Sequence, residues 1–162
     1  MQTRLVLRLI IIAIALAFGA YRGMHPATKA RTVTGANGQV TVQADGTDPR
    51  LKAAAQEAAR RWPEFAAAFA TRGPDDVFLV KHRFKAGRTG GEHMWLRVTS
   101  VTAATVAGEL VDEPVNNIGL KMGDSATIPI AEVEDWGFKV GDGPAVGDFS
   151  GPVLDAMQKE SK

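Results

Sequence analysis

The sequence predicts an α+β fold in which an N-terminal Ala-rich helix, kinked at Pro63, packs on a curved, mainly antiparallel sheet of five to six strands, with a short C-terminal helix. Three observations carry this prediction. Apolar residues recur at helical spacing from Leu51 to Phe69, the period drops to two after Pro74, and the gaps between the period-two runs are too short for crossover helices. The chain has 162 residues, with 19 Lys+Arg, 18 Asp+Glu and 45% hydrophobic residues, the balance of one folded domain with appendages.

Arg4 and Arg8 precede an unbroken apolar run at 9–21, the order of charge then grease found in a secretory signal. Its 13 residues would span about 20 Å as a helix, short of a hydrocarbon core of about 30 Å. Residues 1–21 are therefore expected to be a signal peptide or an N-terminal membrane anchor. Ala17 and Gly19 offer a cleavage site of small residues, and without cleavage the run tethers the chain. Residues 22–47 are polar and rich in Gly, Thr and Ala, too poor in apolar side chains to offset the entropy of ordering, and are expected to form a flexible linker. Asn37-Gly38 at the centre of 32–42 marks a weak hairpin there.

A single domain is expected over 48–158. Asp48 and Pro49 open the helix, because an Asp oxygen accepts orphan amide protons and Pro suits the first turn. Leu51, Ala55, Ala58, Trp62, Phe65 and Phe69 lay one apolar stripe. Pro63 lacks an amide donor and so kinks that helix or begins a second one, and Gly73-Pro74 stops it. Strands follow at 77–85, 93–101, 106–110, 126–130, 136–140 and 146–149, with tight connections at 102–105 and 141–144. A closing helix is expected at 152–158.

Composition excludes several kinds of chemistry. With no cysteine, disulfides, thiolate metal sites and cysteine nucleophiles are out. The net charge of +1 argues against a nucleic-acid partner. That average hides a division: residues 1–47 hold five cations and one acid, and residues 48–162 hold 14 cations and 17 acids. No phosphate loop or dinucleotide motif occurs, Gly141, Gly143 and Gly147 read as a hairpin, and the four serines lack an obvious activating setting, so no cofactor and no covalent serine chemistry is expected.

The segment 92–98 carries the strongest site signal. Strand alternation puts Met94, Leu96 and Val98 on one face and His93, Trp95 and Arg97 on the other, beside Glu92. An imidazole, an indole and a cation on one face suit a ligand patch. The competing reading buries Trp95 beneath a loop and makes His93 a packing residue. Asp135 and Trp136, after Glu132 and Glu134, form a second polar-aromatic cluster. Asp135 either partners His93 from an adjacent strand or caps a turn through amide hydrogen bonds. The binding candidates are thus Glu92, His93, Trp95, Asp135 and Trp136. His82 falls in register with core positions, and together with His93 and Glu92 it lacks a recognised metal-ligand spacing, so no metal is assigned. Lys81, Arg83, Lys85 and Arg88 form a basic stripe around Phe84, read as a solvated strand face.

Taken in order, these segments resemble the bacterial DUF2314 family over 45–154. The resemblance rests on Asp48, Leu51 and Ala58 in the helix that ends Phe65-Ala66-Ala67-Ala68-Phe69, on Phe78 to Lys81, and on Glu92-His93-Met94-Trp95-Leu96. It continues through Gly108, Glu113-Pro114, Leu120 to Asp124, Asp135-Trp136 and Gly147-Asp148-Phe149-Ser150. Gly137 stands where the family commonly has a bulky residue, and Ser150 where it has Thr. The resemblance implies a small bacterial α+β domain, often behind an export signal, and brings no activity, cofactor or catalytic residue.

The expected function is accordingly a non-catalytic envelope protein, periplasmic or anchored in the inner membrane with its domain exported, that binds a protein partner or small ligand. A cytoplasmic tether is the alternative address. A hydrolase using Glu92, His93 and Asp135 is the alternative chemistry, and it requires those three side chains to converge.

Overall fold

A computed structural model describes residues 31–34, 40–43, 48–88 and 90–160. The leader expected at 1–21 lies outside them. Strands β1 (Arg31–Thr34) and β2 (Val40–Gln43) pair antiparallel where the weak hairpin was expected, with its Asn-Gly turn outside the described residues.

Helix α1 (Pro49–Arg60) starts on Asp48, whose carboxylate accepts the Arg50 amide at 2.8 Å. Pro63 produces a break, and α2 (Trp62–Ala70) follows α1 with only Arg61 between them. A carbonyl of the last turn of α1, that of Ala58, accepts the Trp136 indole N–H at 2.7 Å. This satisfies one of the carbonyls that the last turn of a helix leaves without an intrahelical donor. Ala54 and Ala58 are buried, and these small residues let the helix backbone approach the sheet closely.

Six strands form one open antiparallel sheet in the order β6-β5-β4-β3-β7-β8. They are β3 (Val77–Ala86), β4 (Gly90–Val101), β5 (Thr105–Leu110), β6 (Ser125–Pro129), β7 (Asp135–Lys139) and β8 (Val146–Gly147). One face is apolar. Phe78, Val80, Met94, Leu96, Trp136 and Phe138 bury against Phe65 and Phe69 of α2 and Ala58 of α1. Phe65 and Phe78 meet edge to face at 5.4 Å. A register shift between Val98 and Ser100 marks a bulge in β4, so Val98 and Val101, three apart, both pack on this core.

Helix α3 (Gly151–Glu160) closes the chain, with Met157 fully buried and an Arg50–Glu160 ion pair of 3.0 Å tying it to α1. A long loop at 111–124 separates β5 from β6. No helix of the described residues is long and apolar enough to cross a membrane.

Candidate functional site

Strand pairing builds the other face of the sheet. Trp95 lies opposite Lys81, His93 opposite Arg83, and Asp135 opposite Lys81 from the other side. Met94, Leu96 and Val98 are buried, whereas His93 is exposed and Trp95 and Arg97 are half-buried, so the parity expected for this strand holds. The Lys81 ammonium stands 5.5 Å from the Trp95 ring centroid, within range for attraction to its π-face. His93 Nδ1 shares a 2.6 Å hydrogen bond with the Glu134 carboxylate, which becomes an ion pair when the imidazole is protonated. Trp95 also packs against buried Val77 and Leu79, so the indole has one side in a small apolar cluster.

Beneath Lys81 lies a buried polar knot. Asp135 accepts the Trp136 and Phe149 amides at 2.8 and 3.1 Å on one oxygen, and the Ser150 amide and hydroxyl at 2.8 and 2.5 Å on the other. Lys81 Nζ donates to the same Ser150 hydroxyl at 3.1 Å. Beside it, Asp148 accepts the Gly151 amide at the first turn of α3. Burial pushes the Asp148 carboxyl up to about 6, the Asp135 carboxylate adds to the rise, and the Lys81 ammonium opposes it. The chain enters the knot through Gly147 at φ 96° and Asp148 at φ 56°. A Cβ at position 147 would collide with the Trp136 carbonyl oxygen, so only glycine fits there. The knot locks β7, β8 and the start of α3 to β3.

The five candidate residues divide between the two faces. His93 and Trp95 share the outer face, and Asp135 lies on it below Lys81, only 1% exposed. Trp136 is fully buried on the core face with its indole N–H used by Ala58. Glu92 also points to the core side, where it accepts the Val115 and Asn116 amides at 2.8 Å each and pins the loop at 111–124. The hydrolase set is therefore corrected: Glu92 is bonded to the loop, Asp135 to the 149–150 turn and His93 to Glu134. Pleat alternation is the cause, since adjacent residues 92 and 93 must face opposite ways. Asp135 fills the turn-capping role foreseen as its alternative to a bond with His93.

His82 lies elsewhere, its Nδ1 sharing a 3.0 Å hydrogen bond with the Glu132 carbonyl in an open groove that Ala55, Ala59 and Val133 also line. Lys81, Asp148 and Ser150 were not foreseen as a cluster. The available signal was two helix-capping residue types, Asp148 and Ser150, immediately before a predicted helix.

A family model described as an uncharacterized protein conserved in bacteria (DUF2314) matches residues 48–161. No curated protein and no solved structure matches the chain.

Proposed function

The chain belongs to the DUF2314 family, and from that premise we propose that it is a non-catalytic recognition domain of the bacterial envelope, binding a protein partner or small ligand through the outer sheet face at His93, Trp95 and Lys81. One observation carries the reading: a half-buried indole sits beside an ammonium and an exposed imidazole–carboxylate pair, on the sheet face opposite the one that builds the core. An amphipathic ring left partly open, with hydrogen-bonding groups around it, is the kind of anchor that dominates binding interfaces. Trp136 drops out of the surface and serves as the indole of the core.

The charged-then-apolar order of residues 4–21 supports the envelope address. Fractionation with N-terminal sequencing reads it: a chain in the envelope, shortened near residue 19 or intact in the membrane, is expected, and a full-length cytosolic chain contradicts it. For the surface, His93→Ala with Trp95→Ala is compared with the unaltered protein in crosslinked capture from envelope extract. Loss of captured material by a variant with unchanged circular dichroism is expected, and undiminished capture removes the surface. Because Trp95 supports Val77 and Leu79, the single His93→Ala variant separates lost contact from lost folding.

A further inference from the structure

The β3–β4 hairpin extends past its neighbours. β7 pairs with β3 only as far as Lys81, and β5 pairs with β4 only from Leu96 onward, so residues 82–95 form a two-stranded arm. The core-side face of this arm is occupied, because Phe84 packs toward the core and Glu92 holds the 111–124 loop across it. The outer face is cationic. Arg83 and Lys85 point there, both exposed, and exposed Arg88 follows in the turn. The Arg83 guanidinium lies flat across Gly91, in the space a Cβ would fill.

Two features separate this arm from an ordinary solvated strand face. From 77 to 91 the chain has four cations and no acid, although residues 48–162 as a whole hold 17 acids against 14 cations. In addition, Arg83, Lys85 and Arg88 make no ion pair or side-chain hydrogen bond among the described residues. Of the nearby carboxylates, Glu92 is engaged with the loop and Glu134 with His93, and Glu132 stands 3.8 Å from His82 in the groove that Arg83 also lines. Asp76 lies at the far end of β3, roughly 30 Å from Lys85 at strand rise, where it accepts the Gly73 and Gly141 amides.

We propose that the outer face of this arm is a docking surface for an anionic lipid bilayer, with Arg83, Lys85 and Arg88 contacting the headgroups. No acceptor among the described residues orients these cations, which suits the smeared charge of headgroups better than a stereospecific acidic partner. The apolar run at 9–21 would bring a bilayer to the same chain, and the half-buried Trp95 at the base of the arm is a ring type that settles at a membrane interface. The inference goes beyond the recognition surface: its headgroup contacts are made by different side chains, and Trp95 alone is shared.

The test uses the full chain, whose lack of cysteine makes an introduced thiol unique. An environment-sensitive dye is placed on His93→Cys, exposed on the outer face of the arm opposite Arg83, and on Val140→Cys, an exposed position at the opposite end of the sheet, as a control. Vesicles of phosphatidylcholine alone are compared with vesicles also containing phosphatidylglycerol. The arm dye is expected to shift only with the anionic vesicles, the shift disappearing in high salt, while the control dye stays unchanged. At about fivefold per charge, Arg83→Gln with Lys85→Gln and Arg88→Gln should weaken the anionic contact roughly a hundredfold at low salt. Equal arm signals in both vesicle types, or an unaltered contact in the folded triple variant, overturn the proposal. So does a shift produced by polyglutamate and not by phosphatidylglycerol, which assigns the arm to an acidic macromolecule. The His93→Ala capture result is read separately, so failure of one surface is distinguishable from failure of the other.

Discussion

Asp148 is a carboxylate placed where its charge is costly, at a positive φ, nearly sealed from solvent and beside Asp135. Its folded pKa of about 6 lies above the ordinary 3.8, so the folded protein holds the proton more tightly than the unfolded chain. The stabilising protonation is complete below about 3.8 and is lost as pH rises through about 6, which leaves a penalty of about 2 to 3 kcal/mol at neutral pH. Asn keeps the acceptor for the Gly151 amide and tolerates the left-handed backbone. Asp148→Asn is therefore expected to raise unfolding free energy at pH 7 by an amount of that order, with the advantage shrinking to near zero by about pH 4 in urea titrations. A variant less stable at pH 7, or an advantage independent of pH, contradicts this assignment. At this scale the sequence was only partly legible. The outward placement of His93 and Trp95 followed from alternation alone, because every second residue of β4 shares a face. The Asp135–Ser150–Lys81 contacts did not, because they join residues up to 69 positions apart and depend on how the 147–150 turn folds back.

Among the elements, the helix break and the strands were readable because proline chemistry and pleat parity are local. Pro63 had to disturb the helix, and the six period-two runs are the six strands of the main sheet. The bulge after Val98 and the loop at 111–124 were not readable. A bulge changes register by one residue without any required residue type, and the loop has no apolar period, being held by side chains remote in sequence. Glu92 is the main such tether, taking two backbone amides and the Asn116 side-chain amide on a carboxylate that is 6% exposed. Glu92→Ala leaves those donors without their acceptor. It is expected to cost about 1 to 3 kcal/mol and to open the 111–124 loop to limited proteolysis while helices and sheet persist. Cleavage unchanged from the parent would mean that the loop is held by Ile118 and Leu120 packing on the core instead.

Across the whole molecule, one antiparallel sheet carries the aromatic core on one face and the proposed recognition surface on the other. The face toward α1 and α2 holds the aromatic core, with Trp136 stacked 11° from parallel on Phe138 and tilted against Phe65. The opposite face holds the knot and Trp95 on either side of Lys81, then His93 beside Arg83 in the arm, and then Lys85 toward the hairpin tip, an order running along β3. This division gives the resemblance its physical content: the Glu92 to Leu96 segment serves loop anchoring, outer surface and core at successive residues. The outer face is proposed above to meet a partner. A photocrosslinking residue placed at His93 or at Arg97 in living cells tests this most directly, with Met122, 53% exposed in the 111–124 loop, as the comparison position. Discrete adducts are expected from positions 93 and 97 and none from 122, whereas adducts from 122 alone, or equal labelling from all three, would rule out a contact through that face.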